Sequence, residues 1–117
     1  MILADTSAWI ECVEGRLPAL GSALEEEQVL MHPWVLGELA LGDWPDRRRF
    51  LSDCMDISAA PVIEEKLVLK LIEEHKLFGS GLGWVDCQLL ASAQAMEANL
   101  WTQDKALKRA WERIVRA

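Results

Sequence analysis

The sequence is poor in the residues that build zinc sites and disulfide frameworks. Its 117 residues include only three cysteines and two histidines, and tyrosine is absent. Cys12, Cys54 and Cys87 are an odd number without close spacing, and His32 and His75 are far apart. Neither set has the spacing of a zinc site, and no disulfide framework is indicated. We interpret the cysteines as reduced thiols of a cytoplasmic protein. For Cys87 a small buried side chain is favoured over a soft metal ligand.

Long apolar runs and several catalytic signatures are missing as well. No segment approaches the roughly 18 apolar residues that span a bilayer. The N-terminus also lacks the basic and apolar regions of a secretory signal, so we expect no membrane association. The loop Gly79–Gly83 lacks the Lys-Ser or Lys-Thr ending of a P-loop, and we interpret it as a flexible connector rather than a phosphate cradle. The sequence also lacks the nucleophile elbow of a serine hydrolase. We interpret His32 as a partly buried histidine rather than as a general base.

Positive charge is scarce. The sequence has 12 Lys and Arg residues and 19 Asp and Glu residues, which gives a net charge of −7. This balance argues against nucleic-acid binding through whole-molecule charge, but a nucleic-acid substrate remains possible where basic residues gather on one face. For each basic residue the alternative is a solvated helix face. The candidate phosphate contacts are Arg47, Arg48, Arg49, Lys105, Lys108 and Arg109.

Apolar strand-like segments alternate with helical ones along a chain that is 51% hydrophobic. Length and composition predict a single domain over residues 1–117 with a substantial core. The alternation predicts a three-layer α/β/α sandwich around a central, mostly parallel sheet of four or five strands. The strands are expected at Ile2–Ala4, Val29–Met31, Leu100–Thr102 and, more weakly, Met55–Ser58, with Ile114–Val115 as an edge strand or a frayed end.

Helix boundaries follow from proline, glycine and the spacing of apolar residues. Thr6 or Ser7 is expected to cap the first helix. The predicted helices are Ala8–Val13, Pro18–Glu27, one from Pro33 to Gly42, a short one after Pro45, Pro61–Lys76, Trp84–Ala98 and Asp104–Glu112.

Four acidic residues lie beside apolar sequence rather than in the charge runs: Asp5, Glu38, Asp86 and Asp104. Carboxylates next to a core are costly to ionise unless something neutralises them, and no comparable set of basic residues is available. Asp5 and Asp104 follow the ends of predicted strands, where sites form in parallel sheets. Mg²⁺ and Mn²⁺ prefer such oxygen ligands. Helix caps and helix-dipole partners explain the same positions, and both interpretations stay open here.

The opening segment Ile2–Ile10 resembles the start of PIN-domain ribonucleases, specifically VapC-type toxins. The helix of Glu38 and the segments Gly81–Asp86 and Leu100–Asp104 follow in the family's order, so the resemblance covers essentially the whole chain. It implies a PIN-like fold and an acidic quartet that binds Mg²⁺ or Mn²⁺. The quartet maps to Asp5, Glu38, Asp86 and Asp104, with Thr6 and Thr102 as supporting polar residues.

The resemblance also implies a function. It is that of a metal-dependent endoribonuclease, the toxin of a type II toxin–antitoxin pair, which hydrolyses RNA phosphodiester bonds with a metal-activated water. Asp5 is expected to be the central ligand and Asp86 the second, while Glu38 and Asp104 complete the site or orient the water. The implied partners are RNA, a cognate antitoxin and a second copy in a homodimer. The alternatives are a catalytically silent PIN-like interaction module and a metal-dependent phosphoesterase acting on a small substrate.

Overall fold

The computed structural model describes all 117 residues, which form seven helices around three short strands. The sequence order alternates between strands and groups of helices, as expected for an α/β protein. The elements are β1 (Ile2–Ala4), α1 (Thr6–Val13), α2 (Pro18–Glu25), β2 (Val29–Leu30), α3 (Pro33–Ala40), α4 (Arg47–Met55), α5 (Glu65–His75), α6 (Trp84–Ala95), β3 (Asn99–Trp101) and α7 (Lys105–Arg116).

The three strands are parallel and lie in the order β2-β1-β3. In the register, Leu3 lies opposite Leu30 on one side and Leu100 on the other. The chain therefore starts in the central strand and adds a neighbour on each side. Right-handed crossovers that run in opposite directions place their helices on opposite faces of the sheet. Because all strands point the same way, their carboxyl ends share one edge, and Asp5 follows the central one.

The sheet has three strands rather than the expected four or five. The segment predicted as a strand at Met55–Ser58 begins with the last residue of α4. Beyond it only an isolated parallel bridge forms between Met31 and Ala59. Two backbone hydrogen bonds make this bridge, and the chain then reaches Pro61. Proline has no N–H with which to continue a ladder.

The C-terminal edge strand is also absent, because α7 continues through Ile114 and Val115 to Arg116. Leu107, Ala110 and Ile114 are buried at helical spacing, whereas Val115 is 61% exposed. This 3.6-residue pattern buries one stripe of a helix, and no second apolar face remains for a strand to bury.

The core joins the sheet to the helices on both faces in one cluster of 27 buried residues. Helix α6 is buried over the whole run Cys87–Ala93, and its small residues allow close approach to its neighbours. Among the largest fully buried side chains are Leu3, Leu89 and Leu90. Packing of these side chains fixes the helix ends that surround the edge of Asp5. None of the helices combines the length and the apolar character needed to cross a bilayer.

Candidate active site at the carboxyl edge of the sheet

Asp5 is the most constrained of the four acids. It caps α1 itself, in place of Thr6 or Ser7, by accepting the Ala8 N–H at 2.9 Å. The Ser7 hydroxyl donates to the same Oδ1 at 2.7 Å, and the Thr102 hydroxyl donates to Oδ2 at 2.5 Å. The residue is 6% exposed. A carboxylate offers about four lone-pair positions. Three are used here, so the remaining acceptor capacity lies on Oδ2.

Ser7 was missed as a site residue by the sequence reasoning, which treated it only as a possible cap. Its hydroxyl donates to Asp5 and also accepts the Gln103 N–H at 2.9 Å. This one side chain therefore ties the start of α1 to the segment after β3. A hydroxyl two positions after an N-cap aspartate was the available signal, but the partner at Gln103 is 96 residues away in sequence.

Glu38 lies in the last turn of α3 and is exposed. The Thr6 hydroxyl donates to its Oε1 at 2.8 Å, which links α1 to α3. Thr6, expected as a supporting polar residue, thus orients a carboxylate on a different element. The Oε2 atom of Glu38 has no hydrogen-bond partner in the protein.

Asp86 and Asp104 both cap helices, as the alternative interpretation expected. Asp86 accepts the Gly83 N–H through Oδ2 at 3.0 Å, before α6. Asp104 is the N-cap of α7 and accepts the Leu107 N–H through Oδ1 at 3.0 Å. Its own N–H donates to Thr102 Oγ1. Each cap occupies one carboxylate oxygen and leaves the other without a protein hydrogen bond, so capping does not prevent metal binding.

The four acids lie within electrostatic reach of one another. The pKa of Asp86 is raised, first by burial and then by the negative charges of Asp104, Asp5 and Glu38, while the hydrogen bond from Gly83 lowers it. Like charges that disfavour ionisation of a neighbour are typical of functional sites. The structure thus brings the four predicted residues to one edge of the sheet, whereas their catalytic and metal-binding roles stay predictions.

The donor set fits a hard divalent cation, although the geometry is open. In the arrangement described, no three acidic, histidine or cysteine side chains lie close enough together to hold one ion. Mg²⁺ commonly uses one or two protein carboxylates and keeps several waters, with substrate phosphate completing its shell. Carboxylates that repel one another and retain free oxygens suit that mode of binding.

The candidate RNA-binding residues lie on two helices, α7 and α4. Lys105, Lys108 and Arg109 are exposed on the first two turns of α7, directly after Asp104. Arg47 is exposed at the start of α4 and donates to the Ala40 carbonyl. All four are free of salt bridges, because the ion pairs of the protein involve only Arg16 and Lys70.

His32 and Cys87 take no direct part in the acidic edge. His32 is fully buried rather than partly buried, and it caps α3 through Nδ1, which accepts the Trp34 N–H at 3.0 Å. Burial lowers its pKa and so favours the neutral ring. Burial and the charge of Asp86 raise the pKa of Cys87, which keeps it a thiol.

A small parallel α/β fold with carboxylates gathered at the end of its central strand defines a PIN-like protein. The crystal structure of PAE2754 from Pyrobaculum aerophilum matches this fold with a TM-score of 0.66 at 20% identity, over 98% of this chain and 93% of that one. No protein-family model matches the sequence.

Relatives by sequence are more specific. Ribonuclease VapC32 of Mycobacterium tuberculosis, in strains CDC 1551 / Oshkosh and ATCC 25618 / H37Rv, is 40% identical over 111 residues. The alignment covers 94% of this chain and 90% of that protein. The chain belongs to the VapC ribonuclease family.

Proposed function

We propose that this protein is a Mg²⁺- or Mn²⁺-dependent endoribonuclease and the toxin of a toxin–antitoxin pair. The observation that supports this most is the convergence of four carboxylates at the carboxyl edge of a parallel sheet, where three of them raise the pKa of the fourth. The relationship to Ribonuclease VapC32 supports RNA as the substrate. A divalent cation bound among these carboxylates would relieve their repulsion, so the acidic cluster supports the proposal of a metal site.

The residues that would hold the metal are Asp5, through Oδ2, and Asp86, with Glu38 and Asp104 completing the site. When bound, the ion would lower the pKa of a coordinated water and neutralise charge on a phosphoryl oxygen. Asp5 is held by three donors, so its position changes little on binding. Such preorganisation reduces the cost of binding and of reaction.

The exposed acids of the site, Glu38 and Asp104, would contact water and substrate. Glu38 faces solvent, and Thr6 fixes its Oε1, so Oε2 is available to orient an attacking water. Asp104 follows Thr102 closely, and the Thr102 hydroxyl contacts both Asp5 and the Asp104 backbone. Thr102 therefore couples the buried acid to the exposed one.

RNA would approach along the start of α7. Lys105, Lys108 and Arg109 are exposed and unpaired beside Asp104, so they can meet phosphates next to the acidic edge. Arg47 offers a second contact on α4. A Lys105→Glu change at a true contact weakens RNA binding and flattens the salt dependence of the binding constant.

A cognate antitoxin would act at the same edge. Because the charges of the other three acids disfavour ionisation of Asp86, a basic side chain inserted beside it would be stabilised and would compete with the metal. A homodimer remains a prediction of the family resemblance, and a cytoplasmic location remains a prediction from the reduced cysteines.

The direct test is RNA cleavage with added Mn²⁺ by the wild-type protein and by Asp5→Asn and Asp86→Asn variants. Both substitutions keep side-chain size and a capping oxygen but remove charge. Removal of one metal-binding charge is expected to reduce activity by about 100-fold or more, the scale of losing an electrostatic contribution to the transition state. Asp43→Asn is the matched control, since Asp43 is exposed and makes no side-chain hydrogen bond.

The outcomes separate the alternatives. Full activity in both variants contradicts the proposal. Turnover of bis-p-nitrophenyl phosphate without RNA cleavage indicates a phosphoesterase for small substrates. Antitoxin binding without any hydrolysis indicates an interaction module. Chelation of divalent ions by EDTA must abolish RNA cleavage if the metal is required.

A further inference from the structure

A buried polar network lies behind the acidic edge. Besides Asp5, the only buried polar residues of the protein are His32, Gln88 and Ser92, each at most 1% exposed. Buried polar groups are costly unless they are satisfied, and a fully satisfied network makes a core rigid. His32 lies within hydrogen-bond distance of Gln88, and Gln88 and Ser92 both bond to the segment Pro61–Ile63, so this segment joins the three residues in one network.

Gln88 is the centre of this network. Its Oε1 accepts the Ile63 N–H at 2.6 Å and its Nε2 donates to the Ile63 carbonyl at 3.1 Å. Both backbone groups of Ile63 are thus paired with a side chain, and this explains why the predicted helix from Pro61 begins only at Glu65. The Gln88 side-chain amide satisfies the backbone N–H and carbonyl of Ile63, as the backbone of a neighbouring strand would.

His32 connects Gln88 to α3. Its Nδ1 accepts the Trp34 N–H and therefore carries no proton, so the proton of the neutral ring is on Nε2. Nε2 lies 3.4 Å from Gln88 Oε1. Both ring nitrogens are thereby engaged, one with the start of α3 and the other with α6.

The two ends of this connection are next to site residues. His32 caps α3, and Glu38 follows it on that helix by six residues. Gln88 follows Asp86 by two residues on α6. No other side-chain hydrogen bond joins these two helices. The network therefore lies where it can set the separation of two of the four carboxylates.

We propose that His32 and Gln88 are positioning residues, a clamp that fixes Glu38 relative to Asp86. This inference rests on the proposed function, in which both carboxylates serve one metal-dependent site. Replacing a residue that orients a metal ligand without binding the metal typically weakens metal affinity by about 10–100-fold. The clamp acts in this way through helix position rather than by direct contact with the ligands.

The test is the Kd for Mn²⁺ alone, measured by isothermal titration calorimetry on the full chain. Gln88→Met keeps side-chain volume and removes every hydrogen bond that the Gln88 side chain makes. His32→Asn keeps an N-cap acceptor for α3 but is too short to reach Gln88. Both variants should bind Mn²⁺ about 10-fold more weakly or worse than wild type.

Ser92→Ala is the matched control. It deletes the hydrogen bond from the buried Ser92 hydroxyl to the Pro61 carbonyl at 2.8 Å, which does not connect α3 to α6. A purely structural role for the network predicts the same loss of Mn²⁺ affinity in all three variants. The clamp predicts that Ser92→Ala loses stability but keeps wild-type affinity. Wild-type affinity in a folded His32→Asn variant overturns the inference.

Crystal structures provide a readout that needs no metal. The clamp predicts a changed separation of the Glu38 and Asp86 Cα atoms in His32→Asn relative to wild type, and an unchanged separation overturns it. A wild-type protein that binds no Mn²⁺ contradicts the proposed function instead, and the clamp is then decided by this separation.

Discussion

Thr102 offers a sharp test of how the central carboxylate is held. Its hydroxyl is one of three donors to Asp5, which is 6% exposed. Thr102→Val keeps the shape of the side chain and replaces the hydroxyl with a methyl group. A hydrogen bond to a charged group is worth about 1.5–3 kcal/mol. The second partner of the hydroxyl, the Asp104 N–H, is exposed, and water can replace that bond at little cost.

We therefore expect Thr102→Val to lower the free energy of unfolding by about 1.5–3 kcal/mol at neutral pH, with an unchanged m value in urea. Ser52→Ala removes an exposed hydroxyl that makes no hydrogen bond, and a change within about 0.5 kcal/mol is expected there. A Thr102→Val protein as stable as the Ser52→Ala control would show that Asp5 does not depend on this donor.

Three further substitutions test the charge and the packing. The pKa of Asp86 is raised in the folded protein, so the folded state loses stability as the pH rises through that pKa. Asp86→Asn removes the ionisable group and should therefore stabilise the metal-free protein. Urea unfolding from pH 4 to pH 8 should show this gain growing with pH and then levelling off, and a gain confined to acid pH would contradict the sign. Gly42→Ala should cost about 1–3 kcal/mol, since overpacking does so in well-packed regions. An added Cβ would lie 2.5 Å from the indole of Trp44. Gly37→Ala, with open space around it, should instead stabilise α3 by about 0.5–1 kcal/mol in the same assay.

The α/β class was predictable because apolar runs and helix signals alternate strongly in the sequence, and the PIN-like fold was implied by the resemblance of its motifs to PIN-domain ribonucleases. The β1 boundary Ile2–Ala4 was predicted correctly. The number of strands was not, because these strands are only two or three residues long. At that length a strand is defined by its partners rather than by a periodic pattern. Ile114–Val115 illustrates the ambiguity, since two β-branched residues fit equally well at the end of a helix.

The positions of the acids were predictable, but their surroundings were not. Asp5 follows an apolar strand, which the sequence shows directly. Its donors include Thr102, 97 residues away, and only the fold brings that hydroxyl to it. The pKa of Asp86 likewise depends on charges from three other elements. The connection between His32 and Gln88 spans 56 residues and has no local sequence signal.

The central claim is that a divalent cation relieves repulsion among the gathered carboxylates, and its most direct test is the stability of the protein as a function of Mn²⁺ concentration. A ligand that binds only the folded state raises the free energy of unfolding by RT ln(1 + [L]/Kd). The wild type and the Asp43→Asn control should follow this curve, and Asp5→Asn should show little or no rise. A wild-type stability that does not change with Mn²⁺ would contradict the account.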